Sequence, residues 1–526
     1  MDLSFRGYLK TLRDHEELLE ISAPVDLRNV AALVPQAEKA VRFTNIRGHS
    51  MPVVSGLLNS RTRLALGMGV EYVAIEGKLR AAMDAPIAPK ITKRAPVKDS
   101  ILTGGQVDLY RLPVPLFSLM DGGPMITGAV VIAEDPEYGM NAGMYRLMLK
   151  EKNVTGIDIV TPNNLRRYAE RALARKKPLP VSISIGVHPY EMIASTFKAA
   201  LGTNELGYAG GLRGEAVKLT EGETVPVPCI ADAEIVLEGE IPPEGWVHPE
   251  GPFSEFNRLM GSLHMNPRVK IKAIMHRKDP IYYALHMPWE NIWMSAPIYE
   301  AAAYRVLREA GVVATAINVT PGGCCHWHIA AAIKKIPGDG KNAILALLSI
   351  ADIKHVVVTD DDIDIFDPVD LEWAIATRVQ ADRDVIIVPD ARSKPLDPSL
   401  PRGNGIPTTA KMGIDATIPE NVPRERFRRI VYVNEGKARL GDYLAASAKG
   451  DQAKARERNG ATPLEDRIIA AVTKAHRFFA ELLELFKNEE FGAIAAAVGK
   501  LTREKKIAQD AEGKYQAVGE SLSQTR

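Results

Sequence analysis

The chain is organised around the stretch Asn141-Ala142-Gly143-Met144-Tyr145-Arg146. Strand-like runs lie on both sides of it, at residues 128–133 and 145–149, and a turn rich in Asp, Pro and Gly precedes it. This pattern predicts a β-hairpin with an amide, a glycine and an arginine at the start of its returning arm. Asn141 and Arg146 face opposite ways on a regular strand, so we expect a bulge at Gly143 to let both reach one ligand. A surface hairpin with an incidental arginine is the alternative.

A second polar stretch, His248-Pro249-Glu250-Gly251-Pro252-Phe253-Ser254-Glu255, follows about a hundred residues later. It places two carboxylates around a Gly-Pro turn, which restricts the backbone and holds both side chains in place. Two fixed carboxylates and one arginine can form an ion-paired proton relay. In such a relay the arginine keeps one acid ionised, while burial raises the pKa of the other. A solvated acidic loop is the alternative.

Together the two stretches resemble the UbiD family of prenylated-FMN-dependent reversible decarboxylases. The resemblance rests on the pattern N-x-G-x-Y-R followed by P-E-G-P-F-x-E. Three further segments are similar to the family and occur in the expected order: Glu205 with residues 207–214, residues 233–239 and residues 411–417. The resemblance extends from about Phe5 to about Asp442.

The resemblance implies reversible, non-oxidative loss of CO₂ from an aromatic or α,β-unsaturated acid, or from an aromatic acyl-CoA thioester. Loss of CO₂ from an sp² carbon leaves a carbanion outside the π-system, so a cofactor must supply an electron sink. In this family the cofactor is prenylated FMN. By resemblance, Arg146 orients the substrate carboxylate and pairs with Glu250, Glu255 donates the proton that replaces CO₂, and Gly143, Met144, Tyr145 and Arg146 hold the flavin.

The resemblance also implies a divalent metal ion (Mn²⁺, Mg²⁺ or Fe²⁺) on Asn141, Asn164 and Glu205, with K⁺ nearby and Lys411 at the flavin phosphate. Here the chain departs from the family, which has a histidine at the position of Asn164. An amide oxygen suits a hard cation, but it is a poorer ligand than imidazole for Mn²⁺ or Fe²⁺. Alternatively, Asn163 or Asn164 is only the N-cap of the helix predicted at residues 165–174.

Length, charge and composition limit the other classes of function. A chain of 526 residues is too long to fold around a single hydrophobic core. Its formal net charge of +1 gives no reason to expect nucleic acid as a partner. Three cysteines cannot form a disulfide framework, and we find no secretion signal or uncharged apolar run of membrane-spanning length. We therefore expect a cytoplasmic enzyme that acts on a small molecule.

We expect a multidomain α/β protein. Its predicted parts are an α+β domain at residues 1–100, a barrel or sandwich at 101–320 that holds the cofactor, an α/β domain at 321–455 and a helical tail at 456–526. The resemblance identifies the second part as a split β-barrel like those of flavin reductases. The runs at 355–358 and 385–388 are typical of parallel strands covered on both faces.

The tail has an apolar stripe between Ile468 and Leu485 that must be buried on this chain or on a neighbour. We expect a neighbour, because family members form oligomers, and hence a homodimer or homohexamer.

Two local patterns favour structure over metal binding. Cys324-Cys325-His326-Trp327-His328 has no second ligand cluster, and the acidic run 360–367 lacks the glycine and glutamate of a calcium loop, so we interpret Asp367 as a helix cap.

Three other functions stay open from the sequence. One is a related carboxylase subunit that works without prenylated FMN, as in phenylphosphate carboxylation. The second is a simple flavin reductase, which does not need the arginine and two glutamates. The third is a non-catalytic assembly subunit.

Overall fold

The computed structural model of the chain describes residues 2–197, 199–392, 394, 396–400, 408–442 and 462–519. The chain divides into two units, Met1–Val422 and Pro423–Arg526. No helix in the described part of the chain combines the length and apolar character needed to cross a bilayer.

The N-terminal region pairs helices with a small mixed sheet. Its first helix begins after Ser4, whose hydroxyl accepts the Gly7 N–H, and it buries Phe5, Tyr8 and Leu12. The helices are Phe5–Asp14, Leu27–Leu33, Arg61–Met68 and Ile75–Asp84, and the strands are Leu18–Ile21, Ala40–Phe43, Val53–Ser55 and Tyr282–Tyr283.

The last of these strands, Tyr282–Tyr283, comes from a distant part of the sequence and pairs parallel to Val53–Ser55. The N-terminal region and the central sheet also share one hydrophobic core. Residues 1–100 therefore bury their apolar side chains in a core that they share with the central sheet.

The central sheet has nine strands, and neighbouring strands are antiparallel throughout. Their order is Met125–Ile126, Leu147–Glu151, Val154–Gly156, Arg268–His276, Ile235–Ile241, Leu179–Ile185, Ala129–Asp135 and Gly139–Met144, with Ser100–Thr103 on Arg268–His276. The helices of this region are Asn164–Ala174, Pro189–Ala194 and Glu205–Arg213. A small three-stranded sheet contains Lys90–Ile91, Lys218–Thr220 and Cys229–Ile230, and a two-stranded sheet pairs His248–Glu250 with His264–Asn266.

The connection Tyr145-Arg146 requires this sheet to curl. It joins strands Gly139–Met144 and Leu147–Glu151, which are six positions apart in the strand order. In a flat sheet six positions would separate them by about 29 Å, whereas two connecting residues span at most about 11 Å. The sheet is therefore curled, which brings strands Gly139–Met144 and Leu147–Glu151 close together. We call the junction between these two strands the seam, and Arg146 lies there.

A hairpin forms at residues 129–144, but its bounds differ from the expected ones and it lacks the expected bulge. Its returning strand ends at Met144, so Arg146 lies after it, and strand Leu147–Glu151 pairs with other strands of the sheet. Strand Ala129–Asp135 pairs with Gly139–Met144 in unbroken register, and Val131 lies opposite Gly143. A Cβ at Gly143 would lie 2.6 Å from Cε2 of the Tyr145 ring. The glycine is therefore required for close approach of an aromatic ring, and the bulge prediction was wrong.

The C-terminal region of the first unit is a five-stranded sheet between helices. The strand order is Ala314–Val319, His328–Ile333, His355–Asp360, Thr408–Ala416 and Val385–Arg392, and the helices are Trp289–Glu309, Asp339–Leu348, Pro368–Arg378 and Ala381–Asp384. Strand Ala314–Val319 belongs to this sheet, whereas we expected the cofactor domain to extend to residue 320.

Two details of this region differ from the sequence interpretation. Strand Val385–Arg392 is antiparallel to its neighbour and lies at the sheet edge, where Ile387 is 66% exposed, so it is not a covered parallel strand. Cys324 and Cys325 lie in a turn before strand His328–Ile333. No group of three potential His, Cys, Asp or Glu metal ligands occurs among the residues with described positions.

The second unit has a core of its own. Helices Leu464–Lys474, Phe479–Leu485 and Phe491–Arg503 precede the hairpin Ile507–Gln509 and Tyr515–Ala517. Ile468, Val472 and Leu482, which are part of the predicted stripe, pack with residues of the third helix in this core. The expectation that this stripe is buried between subunits was therefore wrong for these residues, because the same chain covers them.

Candidate active site

Arg146 contacts three carboxylates at the seam of the curled sheet. Its Nη1 lies 3.0 Å from Oε1 of Glu255, and its Nη2 lies 2.8 Å from Oδ2 of Asp158 and 3.3 Å from Oε2 of Glu250. Glu250 and Glu255 of the stretch 248–255 thus contact Arg146, as the sequence predicted, and Asp158 is an additional partner. Burial opposes the charge of Arg146, but the three acids raise the pKa of its guanidinium.

The ring of Phe253 lies beside the same guanidinium, 5.2 Å from its central carbon. The turn that carries this ring is held by hydrogen bonds from Gly122 N–H to the Pro252 carbonyl and from Gly261 N–H to the Phe253 carbonyl. Gly251 has φ +92°, a left-handed conformation that favours glycine. Local turn geometry therefore directs Glu250 and Glu255 to one arginine.

Glu250 is the most deeply buried acid of the group. Its side chain is 0% exposed, compared with 19% for Glu255 and 24% for Asp158. Its Oε1 has no hydrogen-bond partner among the described residues. Burial raises the pKa of the Glu250 carboxyl, and although Arg146 lowers it, the charge of Asp158 raises it further. Glu250 can therefore store a proton.

Asp158 and Asn266 are the residues of this cluster that the sequence interpretation missed. Asn266 accepts the Ile159 N–H at 3.1 Å, and its Nδ2 lies 3.3 Å from Oδ1 of Asp158 and 3.5 Å from Oε2 of Glu250. A signal was present, because Asp158 is the one charged residue in the run Ile157-Asp158-Ile159-Val160 that follows a buried strand.

A second polar group is centred on Glu205. One oxygen of this buried carboxylate accepts from Asn141 Nδ2 at 2.7 Å and the other from the Ala142 N–H at 2.8 Å. The Asn164 amide also donates to it, which lowers its pKa, but burial is the larger effect and raises it. The structure therefore brings together the three residues that were predicted as metal ligands.

Asn163 and Asn164 have different roles at the start of helix Asn164–Ala174. Asn163 is the N-cap, because its Oδ1 accepts the Arg166 N–H at 2.8 Å. The Tyr145 hydroxyl also donates to Asn163 Oδ1, at 3.3 Å, so this cap contacts the seam. Asn164 points to Glu205 and donates to the Ala199 carbonyl at 3.3 Å.

Some of the backbone N–H and carbonyl groups that we expected to hold the flavin form hydrogen bonds within the protein. Met144 N–H donates to the Ser195 carbonyl, and the Arg146 carbonyl accepts from Asp158 N–H, both at 3.3 Å. Burial raises the pKa of the Tyr145 phenol above its usual range. The assignment of residues 143–146 to a flavin therefore stays a prediction.

Lys411 lies in the C-terminal sheet and is not part of either group. Its ammonium donates to the carbonyls of Leu348 and Ile350 at 2.8 Å and of Ala351 at 3.2 Å, which takes up all three donors. Burial lowers the pKa of Lys411 to about 8. Its predicted role at a phosphate is untested and would require it to leave these carbonyls.

Comparison with known proteins places the chain in a family. It matches the N-terminal, Rift-related and C-terminal domains of 3-octaprenyl-4-hydroxybenzoate carboxy-lyase at residues 9–83, 90–288 and 292–416, respectively. Anhydromevalonate phosphate decarboxylase from Methanosarcina mazei is 34% identical over 443 residues, which are 82% of this chain and 100% of that protein. The chain belongs to the UbiD family. Membership makes it a carboxy-lyase, and it places the boundary between the central and C-terminal domains near residue 290.

Solved UbiD-class structures and a further relative agree with this fold. HmfF from Pelotomaculum thermopropionicum in complex with FMN superposes with a TM-score of 0.79 at 38% identity, over 84% of this chain and 100% of that one. An evolved dimeric form of HmfF in complex with prFMN gives a TM-score of 0.77 at 35% identity, with the same coverage. Gallate decarboxylase from Lactiplantibacillus plantarum is 29% identical over 463 residues, covering 80% of this chain and 94% of that enzyme.

Proposed function

We propose that this UbiD-family protein catalyses the reversible, non-oxidative decarboxylation of an aromatic or α,β-unsaturated carboxylic acid with prenylated FMN. One observation carries the proposal. Arg146 and two glutamates from a hairpin more than a hundred residues away meet at the seam, and the more buried glutamate keeps one oxygen without a donor.

The residues around the seam fit a polar cofactor. Asn141 Oδ1 and Ser195 Oγ are buried and lack hydrogen-bond partners among the described residues. Both belong to the neighbourhood of strand Gly139–Met144, since the Ser195 carbonyl accepts the Met144 N–H. Buried polar atoms are rarely left unpaired, so a bound phosphate and its cation would satisfy this region.

When bound, prenylated FMN supplies the electron sink for the carbanion that loss of CO₂ leaves. The protein supplies orientation and a proton. Arg146 orients the substrate carboxylate through its Nε–H, which is buried and has no partner among the described residues. Glu250 stores a proton, and the more exposed Glu255 delivers one to the carbon from which CO₂ departs. The C–COO⁻ bond is replaced by a C–H bond, and solvent restores the proton.

Asn141, Asn164 and Glu205 are proposed to hold a divalent cation at the cofactor phosphate. The donor set contains two amides and one carboxylate, and oxygen donors suit Mg²⁺ or Mn²⁺ better than softer metals. K⁺ and Lys411 are the further proposed contacts of the phosphate.

Relatives of the chain support the substrate class. Their names include decarboxylases of gallate and of anhydromevalonate phosphate. The flavin-reductase-like split barrel, the homo-oligomeric state and the cytoplasmic location remain part of the proposal, and the dimeric form of HmfF supports assembly.

Glu255→Gln provides the test. The full chain is reconstituted with prenylated FMN and supplied with aromatic, heteroaromatic and α,β-unsaturated acids in D₂O, and NMR follows CO₂ loss and deuterium incorporation. Wild type should decarboxylate at least one acid, and Glu255→Gln should be about 10²–10⁴-fold slower because an amide cannot deliver a proton.

Near-ultraviolet and visible absorbance checks that the variant retains the flavin, and Glu244→Gln is the control, since Glu244 lies on the surface with Arg268 and His248. An unchanged rate in Glu255→Gln would exclude Glu255 as the acid. A flavin-loaded wild type that acts on none of these acids would contradict the proposed function.

A further inference from the structure

The Arg146 cluster has an excess of negative charge that the Arg-Glu-Glu arrangement does not explain. One guanidinium faces three carboxylates, and the shortest of the three contacts is the one to Asp158, at 2.8 Å. Glu250 shares the same nitrogen at 3.3 Å. Because both acids contact one Nη2, their carboxylates are within about 6 Å of each other. Two negative charges at that distance in a buried site repel each other, which favours a proton on one of the two acids.

Hydrogen bonds decide which acid that is. Three donors converge on Asp158, since Arg146 Nη2 contacts Oδ2, and Asn266 Nδ2 and the Val160 N–H contact Oδ1, both at 3.3 Å. Asn266 cannot turn its oxygen towards the acids without losing the Ile159 N–H. Donors to both oxygens favour an ionised carboxylate.

Glu250 has the opposite surroundings. Its Oε2 makes only the longer contacts, at 3.3 Å to Arg146 and 3.5 Å to Asn266, and its buried Oε1 has no donor among the described residues. Two other charged groups face it. Lys150 donates to the Pro249 carbonyl beside it, and Glu255 takes the second nitrogen of Arg146. His264 is its cross-strand neighbour in the hairpin.

We propose that Asp158 is the counter-ion of Arg146 in the resting enzyme, and that by holding this positive charge it keeps a proton on Glu250. Asp158 is a positioning residue in this scheme, because it acts through Arg146 and Glu250. The inference rests on the proposed function only where it concerns turnover. The protonation of Glu250 is a property of the chain itself and can be measured without a substrate.

Infrared difference spectroscopy tests the inference directly. The carboxyl band of Glu250 is obtained by subtracting the spectrum of Glu250→Gln from that of wild type across a pH series, and the same subtraction is made in an Asp158→Asn background. In Asp158→Asn the midpoint of the Glu250 titration should fall by about one to two pH units, a tenfold to hundredfold lower proton affinity, since the repelling charge is lost and Arg146 is free to pair with Glu250.

Asp158→Glu should restore a midpoint close to that of wild type, and Glu244→Gln, which removes a surface charge, should leave it unchanged. If Asp158→Asn does not fold, Asp158→Ser replaces it, because its hydroxyl still offers an acceptor to the Val160 N–H. A midpoint that stays the same without Asp158 overturns the inference, as a purely structural role would not shift it.

The pH profile of the loaded enzyme separates the inference from the proposed function. If activity requires protonated Glu250, the alkaline limb should move to lower pH in Asp158→Asn. A shifted infrared midpoint in a protein without decarboxylase activity would support the role of Asp158 and contradict the function. An active enzyme in which the Glu250 midpoint does not shift would support the proposed function and contradict the role of Asp158.

Discussion

Two arginines of this protein, Arg146 at the seam of the curled sheet and Arg378 in the C-terminal region, are each surrounded by acids. Arg378 is 0% exposed and pairs with Asp362 through both of its terminal nitrogens, at 2.7 and 3.0 Å, and with Asp360 at 3.2 Å. Asp360 also accepts the Ile418 N–H at 2.6 Å. Neither of these two acids has a buried oxygen that lacks a donor among the described residues.

The Arg146 cluster differs in composition and in connectivity. It has one more acid, its acids come from two separate segments, and a buried oxygen of Glu250 has no donor among the described residues. A cluster that stabilises a fold gains from complete pairing, because an unpaired buried polar atom costs about 1–3 kcal/mol. A cluster that moves protons needs an acid whose two protonation states are both accessible. The difference teaches that two buried arginines with acidic partners need not share a role, because of these two clusters only that of Arg146 contains an acid with a buried oxygen that lacks a donor among the described residues.

The largest expected effect separates the two arginines by turnover. Arg146→Met should lower the decarboxylation rate of the loaded enzyme by about 10²–10³-fold, as expected when a charge that stabilises the transition state is removed. Arg378→Met should leave the rate per folded molecule within about threefold, because its partners are structural. Steady-state rates on the substrate found in the acid panel are the measurement. Similar losses in both variants would remove the distinction.

The same two substitutions should affect stability in the opposite order, with the larger loss in Arg378→Met. Arg378→Met leaves the buried Asp360, whose side chain is 5% exposed, without its counter-charge, and breaking a buried pair costs about 3–5 kcal/mol. We expect the free energy of unfolding in urea to fall by that amount. Arg146→Met should cost less, because its fully buried partner Glu250 is proposed to hold a proton, so the charges left without a partner are those of the partly exposed Asp158 and Glu255. The comparison fails if Arg146→Met is the more destabilised of the two.

The raised pKa of Glu250 predicts a pH dependence of stability. Between the ordinary glutamate pKa of about 4.3 and the raised value, the folded state binds more protons than the unfolded state. The free energy of unfolding therefore falls as pH rises through this window, and Glu250→Gln removes that contribution. The stability of wild type minus that of Glu250→Gln should decrease from pH 5 to pH 8, measured by chemical denaturation.

Glu244→Gln is the control with the opposite sign. Hydrogen bonds from Arg268 and His248 lower the pKa of Glu244 to about 2, so its contribution is present above the ordinary value and is lost as pH falls towards 2. The difference between wild type and Glu244→Gln should be flat from pH 5 to pH 8. A flat difference for Glu250→Gln as well would contradict the buried proton.

The smallest expected effect concerns the Glu205 group, which has amide partners and no arginine. If Asn141, Asn164 and Glu205 bind a hard cation, Mg²⁺ at 100 times its dissociation constant should stabilise the flavin-loaded protein by about 2.7 kcal/mol. Glu205→Gln should abolish this gain, and thermal unfolding with and without Mg²⁺ measures it. Elemental analysis that finds stoichiometric Zn²⁺ and no Mg²⁺, Mn²⁺ or Fe²⁺ would contradict the oxygen-ligand site.

Several elements could be predicted from sequence because their causes are local. The hairpin at 129–144, the turn at 360–367 with Asp367 as the cap of helix Pro368–Arg378, and the acidic turn at 248–255 all follow from residues close in sequence. The absence of a bulge at Gly143 could not be predicted, because the reason is the nearby Tyr145 ring. Strand 385–392 was assigned wrongly because apolar β-branched runs also occur on edge strands.

The sequence by itself determined the family, the residue types of the site and the order of the elements, since motifs and periodicity are properties of the chain. Only the tertiary structure decided which groups meet. The curl of the sheet places Arg146 next to Asp158, Glu250 and Glu255, and a covered core decides that Ile468 and Val472 pack within their own unit. The physical reason is that the curl is set by pairing between distant strands and burial by packing of distant side chains, and neither is visible in a local stretch of sequence.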